Sequence, residues 1–163
     1  MQNFYTMKIR KILICIDESE FSQHAAEYGF DIAQTYNAGV GLVHVVEPVM
    51  PVTDTTDTLT GMPFETSVGL QEAIELENIE TERSTVILER ARLAFGEGLE
   101  VSKFTEHGLT ANGIIECAIN FNADLIVMGT HQRTGIDKWF LGNVADDVIK
   151  HSEIPVLVVP FKK

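Results

Sequence analysis

Short apolar runs alternate along the chain with longer segments in which apolar side chains recur every three or four residues. The first run, KILICID at residues 11–17, has the length of a strand buried on both faces, and VGLVHVV at residues 40–46 is a second one. The segment between them has the spacing of one helix face, with apolar positions at Phe21, Ala25, Tyr28, Ile32 and Tyr36. Since parallel strands need a crossover that is usually helical, the chain is predicted to begin with a strand-helix-strand unit.

The rest of the chain continues this alternation. Residues 67–95 have a helical pattern, and residues 99–106 alternate apolar and polar positions, as in a less buried strand near an edge of the sheet. The elements after them are a helix at 110–121 with Ile115, Ala118 and Ile119 inward, a strand at 124–128, a helix at 143–151 and a strand at 156–159. Five strands alternating with four helices predict an α/β domain with a doubly wound, mostly parallel sheet.

Residues 47–66 interrupt this pattern. They contain three prolines and six threonines without a sustained period, so they are predicted to form a flexible loop, which is long for a compact domain. The whole chain of 163 residues, at 45% apolar, has the size of one domain with its own core. We therefore predict a single domain over residues 1–163 that includes this loop.

Acidic residues outnumber basic ones by 24 to 12, which gives the chain a net charge of -12. Such a surface repels the phosphates of nucleic acids, so no nucleic-acid partner is predicted. Only two cysteines are present, Cys15 and Cys117, so neither a disulfide framework nor a metal cluster is indicated. The sequence has no export signal and no apolar stretch long enough to cross a membrane, so we expect a cytoplasmic protein without membrane contact.

Candidate chemistry lies where the predicted strands end, because doubly wound sheets bind ligands at the carboxyl ends of their strands. The longest segment of this kind is GTHQRTGIDKWFLGN, from Gly129 to Asn143. Gly129 allows a sharp exit from the sheet, and Gly142 directly precedes a helix whose free N–H groups and dipole favour an anion. The segment lacks the lysine and hydroxyl residue of a Walker loop, and no dinucleotide fingerprint follows the first strand.

Along nearly its entire length, residues 12–159, the sequence resembles the universal stress protein family. In nucleotide-binding members of that family the fourth strand ends in a glycine, followed by two residues, a second glycine, nine residues, a third glycine and Ser or Thr. This chain has Gly129 and Gly142 in register, while Gln132 replaces the second glycine and Asn143 replaces the hydroxyl residue. The last strand, PVLVV, also follows the family pattern.

The resemblance implies the adenine-nucleotide α-hydrolase type of fold with strand order 3-2-1-4-5, and a bound adenine nucleotide, ATP or AMP with Mg²⁺. Asp17 and the main chain around Val45 and Met128 would hold adenine and ribose, with Gly108 near the sugar. The other implied contacts, to ribose and phosphates and largely through backbone N–H groups, are those of Gly129, Thr130, Gly142, Asn143 and Val144. The resemblance also implies a homodimer formed through the last strand, and a protein partner that the sequence does not identify.

Structural roles are an alternative explanation for several of these residues. Asp17 could help Ser19 to cap the first helix, and Asn143 could be an ordinary N-cap. Gly129 and Gly142 could be turn glycines. A family member without nucleotide, which acts through homodimerisation and contacts with a protein partner, therefore stays open as the alternative function.

Other functional classes fit the sequence less well. A phospho-receiver domain needs an aspartate at the end of the third strand, where this chain has Glu106, His107 and Gly108. A serine hydrolase needs the G-x-S-x-G elbow, which is absent from the sequence. No general base is identified beside the candidate phosphate site, so at most slow ATP hydrolysis is expected. The sequence therefore predicts a regulatory or protective stress-response module without dedicated catalysis.

Overall fold

The computed structural model describes residues 9–48, 67–131 and 142–161, except for the side chains of residues 67–70 and 131. Strands and helices alternate along these ranges. The strands are β1 Lys11–Cys15, β2 Gly39–Val46, β3 Val101–His107, β4 Leu125–His131 and β5 Val156–Phe161. The helices are α1 Glu20–Tyr36, α2 Ser67–Phe95, α3 Thr110–Phe121 and α4 Asn143–His151. Apart from Glu47 and Pro48, the predicted loop at 47–66 lies outside the described residues, as does Gln132.

The five strands form one sheet in which every neighbouring pair is parallel. Their order is β3-β2-β1-β4-β5, which confirms the doubly wound fold and the strand order 3-2-1-4-5. β3 is an edge strand, as its alternating pattern predicts. The chain winds from β1 through β2 to β3 and then crosses to β4 and β5 on the other side. This reversal opens a crevice at the carboxyl ends of β1 and β4, the usual ligand position in such sheets.

Helices cover both faces of the sheet, and each face has its own apolar core. α1 and α2 pack on one face, where Ile14 of β1 and Leu88 of α2 belong to one buried cluster. α3 and α4 pack on the other face, where Leu13 of β1 is clustered with Val148 of α4. None of the described helices is both long and apolar enough to cross a membrane. The central strand β1 is therefore shielded from both sides, as its continuous apolar run predicts.

Several details differ from the sequence prediction; for example, β4 continues to His131, three residues past its predicted end. The predicted inward position of Ile119 is wrong, because its side chain is 59% exposed while Ile114 and Cys117 of the same helix are buried. Apolar residues lie around much of α3, so their spacing alone does not give the direction of the buried face. β1 also ends at Cys15, two residues before the predicted end, because the chain turns at Asp17 toward α1.

Candidate functional site

A cavity of about 610 Å³ opens at the carboxyl ends of β2, β1 and β4. It lies across the point at which the winding of the sheet reverses. Eight of the nine site residues predicted from the sequence line this cavity: Asp17, Val45, Met128, Gly129, Thr130, Gly142, Asn143 and Val144. The fold thus gathers in one place residues that come from four separate parts of the chain.

Gly108 is the predicted site residue that does not line the cavity. It follows the edge strand β3 with a φ of 125°, and its N–H donates to the main-chain oxygen of Val46 at 3.1 Å. β2 therefore lies between it and β1, whose end lines the cavity. Because this turn after β3 requires a positive φ, glycine is the residue best suited to the position.

The N-terminus of α4 opens onto the cavity, since Gly142, Asn143 and Val144 all line it. Gly142 is the N-cap, with φ 77° and ψ 149°, and no side chain of the described residues makes a capping hydrogen bond there. The first main-chain bond of the helix joins the Asp146 N–H to the Gly142 oxygen at 3.0 Å. The N–H groups of the first turn are therefore available to an anionic ligand.

Asn143 is the first residue inside α4, so the interpretation of Asn143 as an ordinary N-cap is wrong. The capping position belongs to Gly142, because its positive φ lets the chain enter the helix from an extended direction. The Asn143 side chain is exposed, and its amide has no hydrogen bond to another described residue. This amide can therefore donate to the same ligand as the first-turn N–H groups.

Asp17 forms part of a hydrogen-bond network that begins α1. Its Oδ1 accepts from the main-chain N–H of Ser19 at 2.8 Å and from the Ser19 hydroxyl. Ser19 Oγ in turn accepts from the Ser22 N–H at 3.1 Å as the N-cap of α1. Asp17 does help to cap α1, but its Oδ2 has no hydrogen bond within the described part of the chain. That oxygen can accept a hydrogen bond from a ligand, since Asp17 lines the cavity.

Gly129 lies inside β4, so a simple turn does not explain it. A β-carbon at this position would lie 2.3 Å from the main-chain oxygen of Phe21 and 3.0 Å from the nitrogen of Ser22. The first turn of α1 therefore packs directly on the main chain of β4. This close approach sets one wall of the cavity, which Phe21 and Ser22 line as well.

Residues other than the nine predicted nucleotide contacts also line the cavity. Glu47 directly follows β2, and its carboxylate accepts a hydrogen bond from the hydroxyl of Thr110 at the start of α3. His44 of β2 also lines the cavity, and its Nδ1 lies 2.7 Å from the main-chain oxygen of Ile16. Because Glu47 and Thr110 follow the ends of β2 and β3, the strand-end rule is the sequence signal that finds them.

Besides uncharged groups, the described lining contains two carboxylates and the imidazole of His44. Asp17 and Glu47 contribute carboxylates, and no lysine or arginine is among the described residues that line the cavity. Burial, together with the nearby Cys117 and Asp17, raises the pKa of the Cys15 thiol in the cavity wall, so this thiol stays protonated at neutral pH. The arrangement can bind an anion through main-chain N–H groups at α4 and hydroxyl groups through the two carboxylates.

The fold and the cavity define a doubly wound α/β domain with a ligand-sized opening at its switch point. The model of the universal stress protein family matches residues 8–160 of this chain. Universal stress protein MJ0531 of Methanocaldococcus jannaschii is 36% identical over 154 residues, which cover 94% of this chain and 84% of that protein. The chain belongs to the universal stress protein family.

Solved structures agree with this assignment. The structure of MJ0577, a universal stress protein of the same organism, is 27% identical, with a TM-score of 0.74 and coverage of 96% of this chain and 99% of that one. The universal stress protein from Archaeoglobus fulgidus in complex with dAMP is 19% identical, with a TM-score of 0.56 and coverage of 93% and 98%. At this lower identity the second comparison shows a shared fold.

Proposed function

We propose that this chain is a stress-response regulatory module that binds an adenine nucleotide, AMP or ATP, in the cavity at the strand ends. The observation that carries the proposal is the N-terminus of α4, whose first-turn N–H groups have no side-chain cap among the described residues and open onto the cavity. Such a helix end is a ready anion site. Membership of the family and the dAMP complex of the Archaeoglobus relative support a nucleotide as the source of the anion.

In this proposal the nucleotide lies across three strands. The phosphates bind at Gly142, Asn143 and Val144, the ribose donates a hydroxyl hydrogen bond to Asp17, and the base lies near Val45 at the end of β2. The wall along β4 is formed by Met128, Gly129 and Thr130. Neighbouring strands lie about 4.8 Å apart, so the path from β4 across β1 to β2 spans roughly 10 Å, the scale of a nucleoside monophosphate. The cavity volume of about 610 Å³ also lies within the usual range for small-ligand sites.

Mg²⁺ would enter this site with the phosphates. The ion usually keeps several waters and binds one or two carboxylates together with substrate phosphates. In the part of the chain that the structure describes, no three potential metal-ligating side chains are grouped together. We therefore propose that ATP itself supplies most of the ligands to Mg²⁺, and that AMP binds without a required metal ion.

A nucleotide-free function through homodimerisation and protein contacts is the second candidate. The acidic lining of the cavity favours it, because Asp17 and Glu47 repel phosphates and no lysine or arginine is among the described lining residues. In this case the uncapped turn of α4 binds only water. The two candidates differ in whether the cavity is occupied, and both retain the proposed homodimer.

We propose that the homodimer forms through the outer edge of β5. The Ile126 N–H of β4 donates to the Pro155 oxygen at 2.9 Å, so alternate residues from Pro155 onward direct their main-chain groups to β4. Val156, Val158 and Pro160 direct theirs outward. Pro160 has no N–H, which leaves the N–H groups of Val156 and Val158 as outward donors of this strand. A second copy in antiparallel orientation would bond to both.

We also propose a cytoplasmic location. Cys15 and Cys117 are both free thiols, a state that a reducing compartment maintains. Both are shielded from solvent to different degrees, with Cys117 buried and Cys15 partly buried. Fractionation of cells that produce the protein would test this location directly.

The proposed function is tested by titrating AMP, and ATP with Mg²⁺, into the purified protein by calorimetry. Mass spectrometry first establishes whether nucleotide is carried through purification. We expect binding of the wild type and at least about tenfold weaker binding of Gly142→Trp, because an indole at this position fills the space in front of the α4 N–H groups. A tenfold loss, about 1.4 kcal/mol, corresponds to roughly one hydrogen bond to a charged group.

Gly98→Trp is a matched control for this titration. Gly98 has the same φ of 77° as Gly142, and a β-carbon there would meet nothing within 4 Å. Both variants thus impose the same kind of backbone strain, but Gly98 is not among the residues that line the cavity. Absence of carried nucleotide and of binding heat in the wild type would reject the nucleotide and leave the homodimer function. Equal weakening by both variants would reject the site at α4.

A further inference from the structure

The main-chain directions of β2 decide which of its groups can reach a ligand. In a parallel sheet, successive residues direct their N–H and C=O groups to opposite neighbours. The Ile16 N–H donates to the Val43 oxygen at 2.8 Å, and the Gly108 N–H donates to the Val46 oxygen at 3.1 Å. Val43 and Val45 therefore face the side of β1, while Val46 faces β3.

The regular sheet would continue with a hydrogen bond from the Val45 N–H to the Ile16 oxygen, but this bond is absent. The Ile16 oxygen accepts instead from the His44 ring, whose Nδ1 lies 2.7 Å away. The Val45 N–H has no hydrogen bond to any residue that the structure describes. Because a carbonyl oxygen can only accept, His44 must carry its proton on Nδ1.

After Ile16 the chain leaves the sheet, so no later residue of this segment pairs with Val45. The Asp17 N–H donates to the Ser22 hydroxyl of α1 at 2.8 Å, which turns this segment away from β2. Val45 and His44 both line the cavity. Among the described residues, the N–H and C=O groups of Val45 have no hydrogen-bond partner, so they form a donor and acceptor pair on the β2 side of the cavity.

We infer that His44 is a positioning residue, which occupies the Ile16 carbonyl and thereby keeps the main chain of Val45 open for a nucleotide base. The inference rests on the proposed function for the identity of the ligand. An adenine base presents a ring nitrogen that accepts and an adjacent amine that donates, which is the complement of a main-chain N–H and C=O pair. Without the imidazole, the Ile16 oxygen would lack a hydrogen-bond donor. The Val45 N–H would then donate to this oxygen and extend the pairing of β1 with β2 by one hydrogen bond.

The test measures the amide hydrogen exchange of Val45 by NMR in the protein without ligand, for wild type and His44→Phe. In the wild type we expect rapid exchange at Val45. In His44→Phe the ring keeps its volume but loses the donor, so the Val45 N–H should bond to Ile16 and exchange at least about tenfold more slowly. The same variant should bind AMP about tenfold more weakly, which corresponds to about 1.4 kcal/mol.

Two further variants separate positioning from a general structural role. His44→Asn retains an amide donor close to the position of Nδ1, and it should restore both rapid Val45 exchange and AMP affinity to within about threefold of wild type. His24→Phe removes a histidine that lies on α1 and does not line the cavity, and it should change neither measurement. If His44→Phe does not fold, His44→Leu removes the same donor and is measured in its place.

The inference is overturned if Val45 exchanges at the wild-type rate after His44 loses its donor, whatever happens to AMP affinity. It is also overturned if the exchange slows and AMP affinity stays unchanged, since the Val45 N–H would then not contact the base. Failure of the wild type to bind AMP would reject the proposed function instead. In that case the exchange rates still decide whether His44 holds the sheet open.

Discussion

Gly129 and Gly142 satisfy two different physical requirements, although the same sequence motif contains both. At Gly129 a β-carbon would collide with the main chain of Phe21, so α1 can pack on β4 only when the side chain is absent. At Gly142 the nearest atom, Thr130 Oγ1, lies 3.9 Å from the position of a β-carbon, but the φ of 77° disfavours every residue except glycine. The sequence spacing predicts both glycines but not these reasons, because the first depends on a helix from the beginning of the chain.

Substitution of Gly129 by alanine should therefore destabilise the fold. The new methyl group overlaps the Phe21 carbonyl, which belongs to the main chain and cannot rotate away. We expect Gly129→Ala to lower the free energy of unfolding by about 1–3 kcal/mol or more, as for other overpacked positions. Urea unfolding followed by circular dichroism measures this loss.

Gly39→Ala is the control for that experiment. Gly39 also lies in a strand of the sheet, but the nearest atom to its added β-carbon is the Arg10 oxygen at 3.9 Å, an ordinary contact. Its stability should change much less than that of Gly129→Ala. Equal losses for the two variants would show that the close approach of α1 to β4 is not the cause.

The sequence predicts individual residues of the candidate site, namely those at the ends of strands. The family resemblance predicts that Asp17 and the first turn of α4 are site residues, and both line the cavity. The hydrogen bond between Glu47 and Thr110 is not predictable in this way, because it joins the ends of two different strands. The interpretation of Asn143 as an N-cap is wrong for a local reason, since Gly142 already has the dihedral angles of the cap.

At the scale of secondary structure, α2 shows how far periodicity can predict a helix. The helix exists as predicted, but Ile79 and Val86 are each 57% exposed. The buried side contains Ile87, Leu88 and Ser84, and the Ser84 Oγ lies 2.7 Å from Thr105 Oγ1 of β3. Apolar residues on two sides of one helix give two possible stripes, and only packing on the sheet decides between them.

Glu89 joins α2 to β3 and provides a pH-dependent contact between these elements. Hydrogen bonds from Arg92 and from Lys103 lower the pKa of the Glu89 carboxyl from 4.5 to about 2. A carboxyl with a lowered pKa adds stability above its unfolded-state pKa, and this contribution disappears as the pH falls from 4.5 through about 2. At pH 7 we expect Glu89→Gln to lower the free energy of unfolding only slightly, because exposed ion pairs contribute little. The difference in stability between this variant and wild type should vanish as the pH falls to about 2.

Urea midpoints of wild type and Glu89→Gln at a series of pH values test this expectation. Glu82→Gln provides the comparison, since Glu82 is an exposed residue of the same helix without an ion pair to another described residue. The urea midpoint of Glu82→Gln should remain close to that of wild type at pH 7. A difference between wild type and Glu89→Gln that grows as the pH falls would contradict the assigned direction of the pKa shift.

For the whole molecule, the alternation of apolar runs and helical segments is sufficient to predict the class of fold. A central strand that is apolar at successive positions requires helices on both faces, and the two buried clusters are the result. Alternation does not determine the order of the strands, which the family resemblance supplies and the sheet confirms. The cavity follows from that order, because only the reversal between β1 and β4 brings Asp17 close to Gly129.

The proposed homodimer is the property of the whole molecule that a single substitution can test. Val158 directs its N–H outward from β5, so Val158→Pro removes an edge donor without removing a hydrogen bond to β4. We expect the wild type to sediment as a dimer at micromolar concentration and Val158→Pro to sediment as a monomer. Native Pro160 shows that this strand tolerates proline at an outward position.

Val158→Thr distinguishes the main-chain donor from the side chain in this experiment. Threonine is β-branched like valine and retains the N–H, so this variant should remain dimeric if the edge hydrogen bonds hold the two copies together. Thermal unfolding of each variant establishes that it is folded before sedimentation is compared. A dimer that survives Val158→Pro must form elsewhere on the surface, and a monomeric wild type removes the homodimer from both candidate functions.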